Sequence, residues 1–436
     1  MLLPADLPER AALAQEVHAR PSQPLRAPAR ASYVAVLVDA DAREQELHHL
    51  IALCEQHQQA PPAVGDVHWS GRIGELRLVW ERHGEFSGYT LLLAGRSAQP
   101  FGDAAAQRLP ASWLAGLPGR TVFAAHAELL HAEEEPPLAD LQTRWFAGHS
   151  LIGAEVGEPV GGHSAGLAVS DFLIHADGFS RLVLVDRGFS PLSAGRMLQR
   201  LLEIEAYRMM ALLAFPMARR LSPRILAIEG ALARLTDHIA SDAGRDEALL
   251  HELTGLAAEV ESGLSASQFR FGACRAYAEL VRTRITELHE TRVAGLQTLE
   301  EFMSRRFTPA VATCATVSQR LHDLSERVAQ ASHLLSTRVD IARERQNLAL
   351  LASMDRRAKL QLRLQQTVEG LSVAAIVYYL AGVVGYLGKG GKALGLRIDV
   401  DLLVGLSIPV LAGAALLAVR RARHEASESD PMPTSL

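Results

Sequence analysis

Two apolar runs near the C-terminus set the strongest limit on what this chain can become. Residues 368–387 read VEGLSVAAIVYYLAGVVGYL, and residues 402–419 read LLVGLSIPVLAGAALLAV. A bilayer core of about 30 Å needs about 20 apolar residues in helical form, with a lower limit of about 17. Both runs meet that length. Glu369, at the edge of the first, is the one formal charge in either. A soluble helix this long normally carries a polar face, and neither run shows one. The two are expected to form a transmembrane hairpin.

The flanks orient it. Arg356, Arg357, Lys359 and Arg363 precede the first run, and Arg420, Arg421 and Arg423 follow the second. Basic residues favour the cytoplasmic side, so both ends are expected inside. The link carries Lys389, Lys392 and Arg397, partly offset by Asp399 and Asp401. Gly382 and Gly385, with Gly405, Gly413 and Ala414, let helices approach closely, within the hairpin or between subunits. Tyr386 sits where an interfacial aromatic belt would lie.

The rest of the chain is ordinary in composition. A hydrophobic share of 48% confines any membrane part to a small region, and a net charge of -5 argues against a nucleic-acid surface. Cys54, Cys274 and Cys314 are too widely spaced for a disulfide framework or a zinc site, and fit a reducing compartment. The opening MLLPADLPER does not read as a secretory leader.

Residues 1–189 read as a mixed α/β domain. A short helix is expected within residues 4–19, and SYVAVLV (32–38) is a β-branched run fit for a buried strand. Asp41 opens a helical pattern through Leu47, Leu50, Leu53 and Cys54. Residues 74–94 form a hairpin with His83 and Gly84 at the turn, and residues 121–129 are a further strand. Residues 166–186 form a second hairpin, with Asp177-Gly178 as a two-residue turn. Between them, residues 133–164, with EEEPP and a Gly-Gly pair, read in part as an exposed loop.

From Ser190 the hydrophobic period changes from two to about 3.6. Ser190-Pro191 is a cap followed by proline at the first helical position. Pro216 ends or kinks that helix and Pro223 marks the next start. Residues 247–303 read as helical, and Thr308-Pro309 as a further cap and start. Residues 190–306 are thus a helical domain and 307–367 a stalk helix. Val317, Leu321, Leu324, Val328, Ala331 and Leu335 form an apolar seam. A coiled coil or packing on helices of the same chain explains it equally. No break precedes the membrane run at 368–419, and residues 420–436 follow as a polar tail. The fold class is α+β: an N-terminal mixed α/β domain, a long helical or coiled-coil stalk, and a C-terminal two-helix transmembrane hairpin.

Several stretches resemble a family of uncharacterised, membrane-anchored bacterial proteins defined as a domain of unknown function. They are EVHARP (16–21), WERHGEFSGYT (80–90), SDFLIHADGFSRLVLVDRG (170–188), RLLEIEAYRMMALLA (200–214) and LLASMDRRAKLQLRLQQTVEGLSVAAIVYY (350–379). The resemblance implies a membrane-anchored protein and adds no known activity. The layout is also similar to CorA-type metal-ion transporters. Their Gly-Met-Asn signature is absent, with Gly385-Tyr386-Leu387-Gly388-Lys389 in its place, and the tail is longer, with Glu425, Glu428 and Asp430. Layout alone carries no function.

Motifs for catalysis are missing. The glycines around Lys389 and Lys392 do not have phosphate-loop spacing, and no nucleophile elbow or His-Glu-x-x-His occurs. The chain has 17 histidines, without metal-ligand spacing. No cofactor is expected. Polar residues do concentrate on the two hairpins. Glu81, Arg82, His83 and Glu85 on the first, with Asp171, His175 and Arg187 on the second, would form a polar pocket if the hairpins adjoin. Structural ion pairs explain them as well. Glu205, three residues from Arg208, can pair within its helix, whereas Glu203 cannot. Glu369, Gly382, Gly385 and Tyr386 are candidates for lining a membrane path. Two functions lead: a homo-oligomeric ion transporter, or a membrane-tethered scaffold or sensor binding a protein or small ligand through the α/β domain; a membrane-bound enzyme ranks last because no motif supports it. The bilayer is the expected partner in both.

Overall fold

In a computed structural model, the structure describes residues 6–10, 13–14, 21–158, 164–241, 246–393 and 399–428. Most of the helix expected within 4–19, most of EVHARP, Arg397 and the end of the tail lie outside these residues. The chain forms two compact units, Met1–His333 and Leu334–Leu436.

The first unit is built on a nine-stranded sheet. Its strands are β1 (Ala29–Leu37), β2 (His68–Ile73), β3 (Leu76–Arg82), β4 (Phe86–Ala94), β5 (Arg120–His131), β6 (Ile152–Val156), β7 (Gly166–Ser170), β8 (Ser180–Asp186) and β9 (Thr291–Arg292). They lie in the order β2-β3-β4-β1-β5-β8-β7-β6-β9. All neighbours are antiparallel except β5 and β8. A parallel pair needs a crossover, and residues 132–179 supply it, placing β6 and β7 on the far side of β8.

The central strands are apolar along their whole length because both faces are covered. Helix α1 (Arg43–Gln56) lays Leu50, Leu53 and Cys54 on Val34, Val36, Leu78, Trp80 and Leu91. On the other face, helix α2 (Pro191–Leu212) brings Leu198 and Leu202 to Tyr33, Val79 and Leu92. A second core joins Leu130, Val169, Val183 and Val185 to Leu141, Trp145 and Phe146.

The expected cap is present: the Ser190 hydroxyl accepts the Ser193 N–H, with Pro191 at the first helical position. Glu205 receives two hydrogen bonds from Arg208, at 2.8 and 2.7 Å. Helix α2 ends at Leu212, Pro216 stands in the first turn of α3 (Phe215–Ser241), and Pro223 lies inside α3 instead of starting a new helix. The long helix read over 247–303 is broken. Helix α4 (Asp246–Thr286) stops, residues 287–298 turn through His289 and Gly295 at positive φ, β9 joins the sheet, and α5 (Leu299–Arg306) follows. Within the segment read in part as an exposed loop, residues 133–158 hold buried Leu141, Trp145 and Phe146 and the sheet strand β6.

Helix α6 (Thr308–Ala393) has 86 residues, and α7 (Val400–Glu428) follows it. Thr308 is inside α6, its hydroxyl donating to the Met303 carbonyl, so it does not cap the helix as the sequence suggested. In the first unit the seam residues Val317, Leu321, Leu324 and Val328 are buried. Cys274 of α4 lies beside Cys314, both buried, and Arg320 bonds Glu229 of α3 at 2.7 Å. The seam thus packs on helices of its own chain. In the second unit, Gly385 and Gly388 face Val404, Leu403 and Val400 of α7.

Candidate functional site

The residues expected to share one pocket fall into separate groups, because β1 and β5 lie between the two hairpins in the sheet. The β3–β4 turn is tied down from two sides. Arg43 of α1 donates to the carbonyls of His83 and Gly84, each at 3.1 Å, and to the Ser87 hydroxyl. Arg270 of α4 pairs with Glu85 at 2.7 Å. Burial, then the charge of Glu85, raises the Tyr277 phenol. The His83 ring stacks on Phe86 at 4.3 Å, and the Arg82 guanidinium lies over Trp80 at 5.0 Å. These contacts fix the turn.

Glu81 points elsewhere. It is buried and lines a cavity of about 40 Å³ between the sheet and α2, with Tyr33, Thr90, Gln199 and Glu203. Burial, then Glu81, pushes the Tyr33 phenol well up. At about 10–15 Å³ per water, the space suits a few solvent molecules and excludes a metabolite. Glu203 is held there by Arg284 of α4. Arg187 joins neither group: it bridges Glu135 at 2.6 Å and Glu155 at 2.9 Å. The Glu135 hydrogen bond is the main cause of its raised pKa.

Asp171 and His175 do come together, and they recruit a residue that sequence reasoning did not single out. The connection from β7 to β8 is residues 171–179, longer than the two-residue turn expected at Asp177-Gly178. At its start Asp171 turns inward, and its side chain is fully buried. Its Oδ2 accepts from His175 Nε2 at 2.9 Å and from His149 Nδ1 at 2.8 Å. Its Oδ1 accepts the Leu173 N–H at 3.2 Å. The three ligand-capable atoms lie within 4.8 Å of one another, the one such group found among the described residues. His175 is 5% exposed at the side chain and His149 40%, so the cluster opens on the His149 side.

Local packing explains how three separated residues meet. Trp145 and Phe146 are anchored in the second core, and the chain then turns through Ala147 and Gly148 at φ +53° and +82° to present His149. Phe172, next to Asp171, sits at φ +55° with its ring stacked on Phe302 at 4.7 Å. A non-glycine residue in this region costs of order 1–3 kcal/mol and persists where packing over-determines it. Both positions border the cluster. The sequence hint was Trp-Phe-Ala-Gly ahead of His149, an aromatic pair and a glycine inside a supposed loop.

The membrane-path candidates all lie on α6. Gly385 meets α7, Gly382 has open space, Tyr386 is 78% exposed, and Glu369 accepts from Gln365 at 3.2 Å. Two helices are long and apolar enough to cross a membrane. One has its apolar stretch within residues 299–391 and the other is residues 400–421, with mean hydropathies of 1.8 and 2.4 over their apolar windows.

No curated protein matches this chain. Among solved structures it is similar to one described as the full-length CmaX protein, at 13% identity over 70% of this chain and 94% of that chain, with a TM-score of 0.20. A family model described as a protein of unknown function, DUF3422, matches residues 5–426, a span that takes in both the sheet and the apolar helices. The chain belongs to the DUF3422 family.

Proposed function

We propose that this is an inner-membrane protein anchored by the apolar part of α6 and by α7, with both termini and the sheet-bearing unit in the cytoplasm. The sheet unit acts as a sensor or scaffold that binds a ligand or protein at the bilayer surface. The observation that carries the anchoring is lack of cover: 6% of the first apolar window and none of the second is buried. Leu371, Tyr379, Leu387 and Val410 are each at least 70% exposed. Apolar surface costs about 25 cal/mol per Å² to leave in water, and a bilayer removes that cost over this length. Arg356, Arg357, Lys359, Arg363, Arg420 and Arg421 support the inward orientation. After alkaline carbonate washing of membranes, the full chain is expected in the pellet, and in the detergent phase on Triton X-114 partitioning. Recovery as a soluble monomer without detergent would overturn this reading.

A second reading, a homo-oligomer with an ion path along its axis, is favoured by one feature of α6. Leu348, Leu351, Met354, Leu360 and Leu362 are each about 60% exposed. Arg356, Arg357, Lys359 and Arg363 interleave with them and keep this stretch out of hydrocarbon. The cover it needs is therefore protein, and copies of the same helix are its simplest source. Such an assembly would gather Gly382, Gly385 and Tyr386 around one axis. The mass in mild detergent is expected to be that of three or more chains, and a stable monomer sinks the path.

A further inference from the structure

We propose that His149, Asp171 and His175 form a binding site for a divalent transition metal of the zinc class, held by the sheet unit on the β7–β8 connection. Two imidazoles and one carboxylate from two separate segments converge on one point, with all three ligand atoms within 4.8 Å. Zinc bonds of about 2.0–2.1 Å in tetrahedral geometry put neighbouring ligand atoms about 3.3 Å apart. The present spacings from Oδ2, 2.8 and 2.9 Å, are those of direct hydrogen bonds. Opening both by about half an ångström admits the ion: His149, at the solvent edge, has room for its share, and the buried Asp171–His175 pair must widen by the same amount.

The donor set selects the metal. Imidazole suits zinc, copper, iron and nickel, whereas calcium and magnesium take oxygen shells. The surroundings are those of a built site. The Leu173 N–H holds Asp171 Oδ1 and fixes the carboxylate plane, as outer partners of metal ligands do. Asp171 and His175 sit in a buried wall, and the exposed side of His149 leaves a position for water or a further ligand. Three protein ligands with one open position is the arrangement of zinc sites that exchange a ligand. Helix α5, through Phe302 on Phe172, and α2, through Arg208 over the same ring at 5.8 Å, both rest on this connection. A metal here would cross-link the β7–β8 connection to the segment after Trp145.

The proposal concerns the first unit and is independent of the membrane reading: zinc binding and lipid partitioning are separate results. The test uses the full chain in detergent, freed of any histidine tag and stripped with EDTA, titrated with zinc and, separately, with cobalt. About one equivalent of zinc is expected, and cobalt is expected to give the strong visible absorption of four-coordinate geometry. Asp171→Asn should lower zinc affinity at least tenfold and abolish the cobalt spectrum. Since Asp171 is buried and its variant can misfold, His149→Ala at the half-open edge is the second arm. It should keep the far-ultraviolet circular dichroism of the parent while losing zinc affinity by a similar factor. Absence of zinc binding in the parent, or binding and spectrum unchanged in His149→Ala, would falsify the site and leave a carboxylate hydrogen-bonded by two histidines.

Discussion

At the scale of the residue, the buried histidine that is not part of the cluster makes the clearest prediction. His126 of β5 bonds the Ser32 hydroxyl through Nδ1 at 2.9 Å and stacks on Phe179 at 3.9 Å. Burial pushes its pKa down to about 4 from an ordinary 6.5, partly offset by the charge of Asp177. In the unfolded chain it takes up a proton below pH 6.5, while in the folded chain it stays neutral until about pH 4. Between those values the unfolded state binds more protons, so stability falls as pH falls. The contribution is fully present above pH 6.5 and is lost on acidification to about 4, on the order of 3 kcal/mol. Denaturant unfolding of the parent and of His126→Gln, at pH 7 and at pH 4.5, measures it. The variant is expected to be less stable at pH 7 and to lose less on acidification. Equal losses in both would show that another group dominates.

At the scale of the element, what could be read in advance followed how much each segment buries. β1, β4 and β5 were legible because strands covered on both faces must be apolar throughout. β2, reading HWSGRI, was not: it is an edge strand with half-exposed residues and little to mark it. β6 was hidden among turn residues, and β9 has two residues, both exposed. Pro223 misled because one lost N–H donor in α3 is tolerated where the flanking turns pack, Ile225 and Ile228 being buried. The break after α4 did have a readable signal, the capping box Thr298-x-x-Glu301 that starts α5. Of the candidate site, Asp171 and His175 were singled out for their charge, four residues apart on one connection. His149 was not, because its approach depends on the buried Trp145-Phe146 anchor and a left-handed turn. No spacing rule encodes that.

At the scale of the whole molecule, orientation across the membrane is the property on which every functional reading depends. The native thiols make it measurable. Cys54, Cys274 and Cys314 are all buried, and burial pushes the Cys54 thiol up to about 11. A thiol held out of solvent reacts poorly with maleimides, and burial is common to all three, so the folded protein supplies a low labelling background. A single cysteine placed at Gly390, between the two apolar runs, should be labelled on intact cells by a membrane-impermeant maleimide. One placed at Arg421, after the second run, should be labelled only once the inner membrane is opened. The basic residues before and after the hairpin predict this pattern, but Lys389 and Lys392 in the link weaken the charge bias. The opposite pattern would place the sheet unit outside the cytoplasm. There, Cys274 and Cys314, buried side by side, would face an oxidising compartment. The labelling pattern thus decides both the side on which the zinc-class site would draw its metal and the redox state the helical core must withstand.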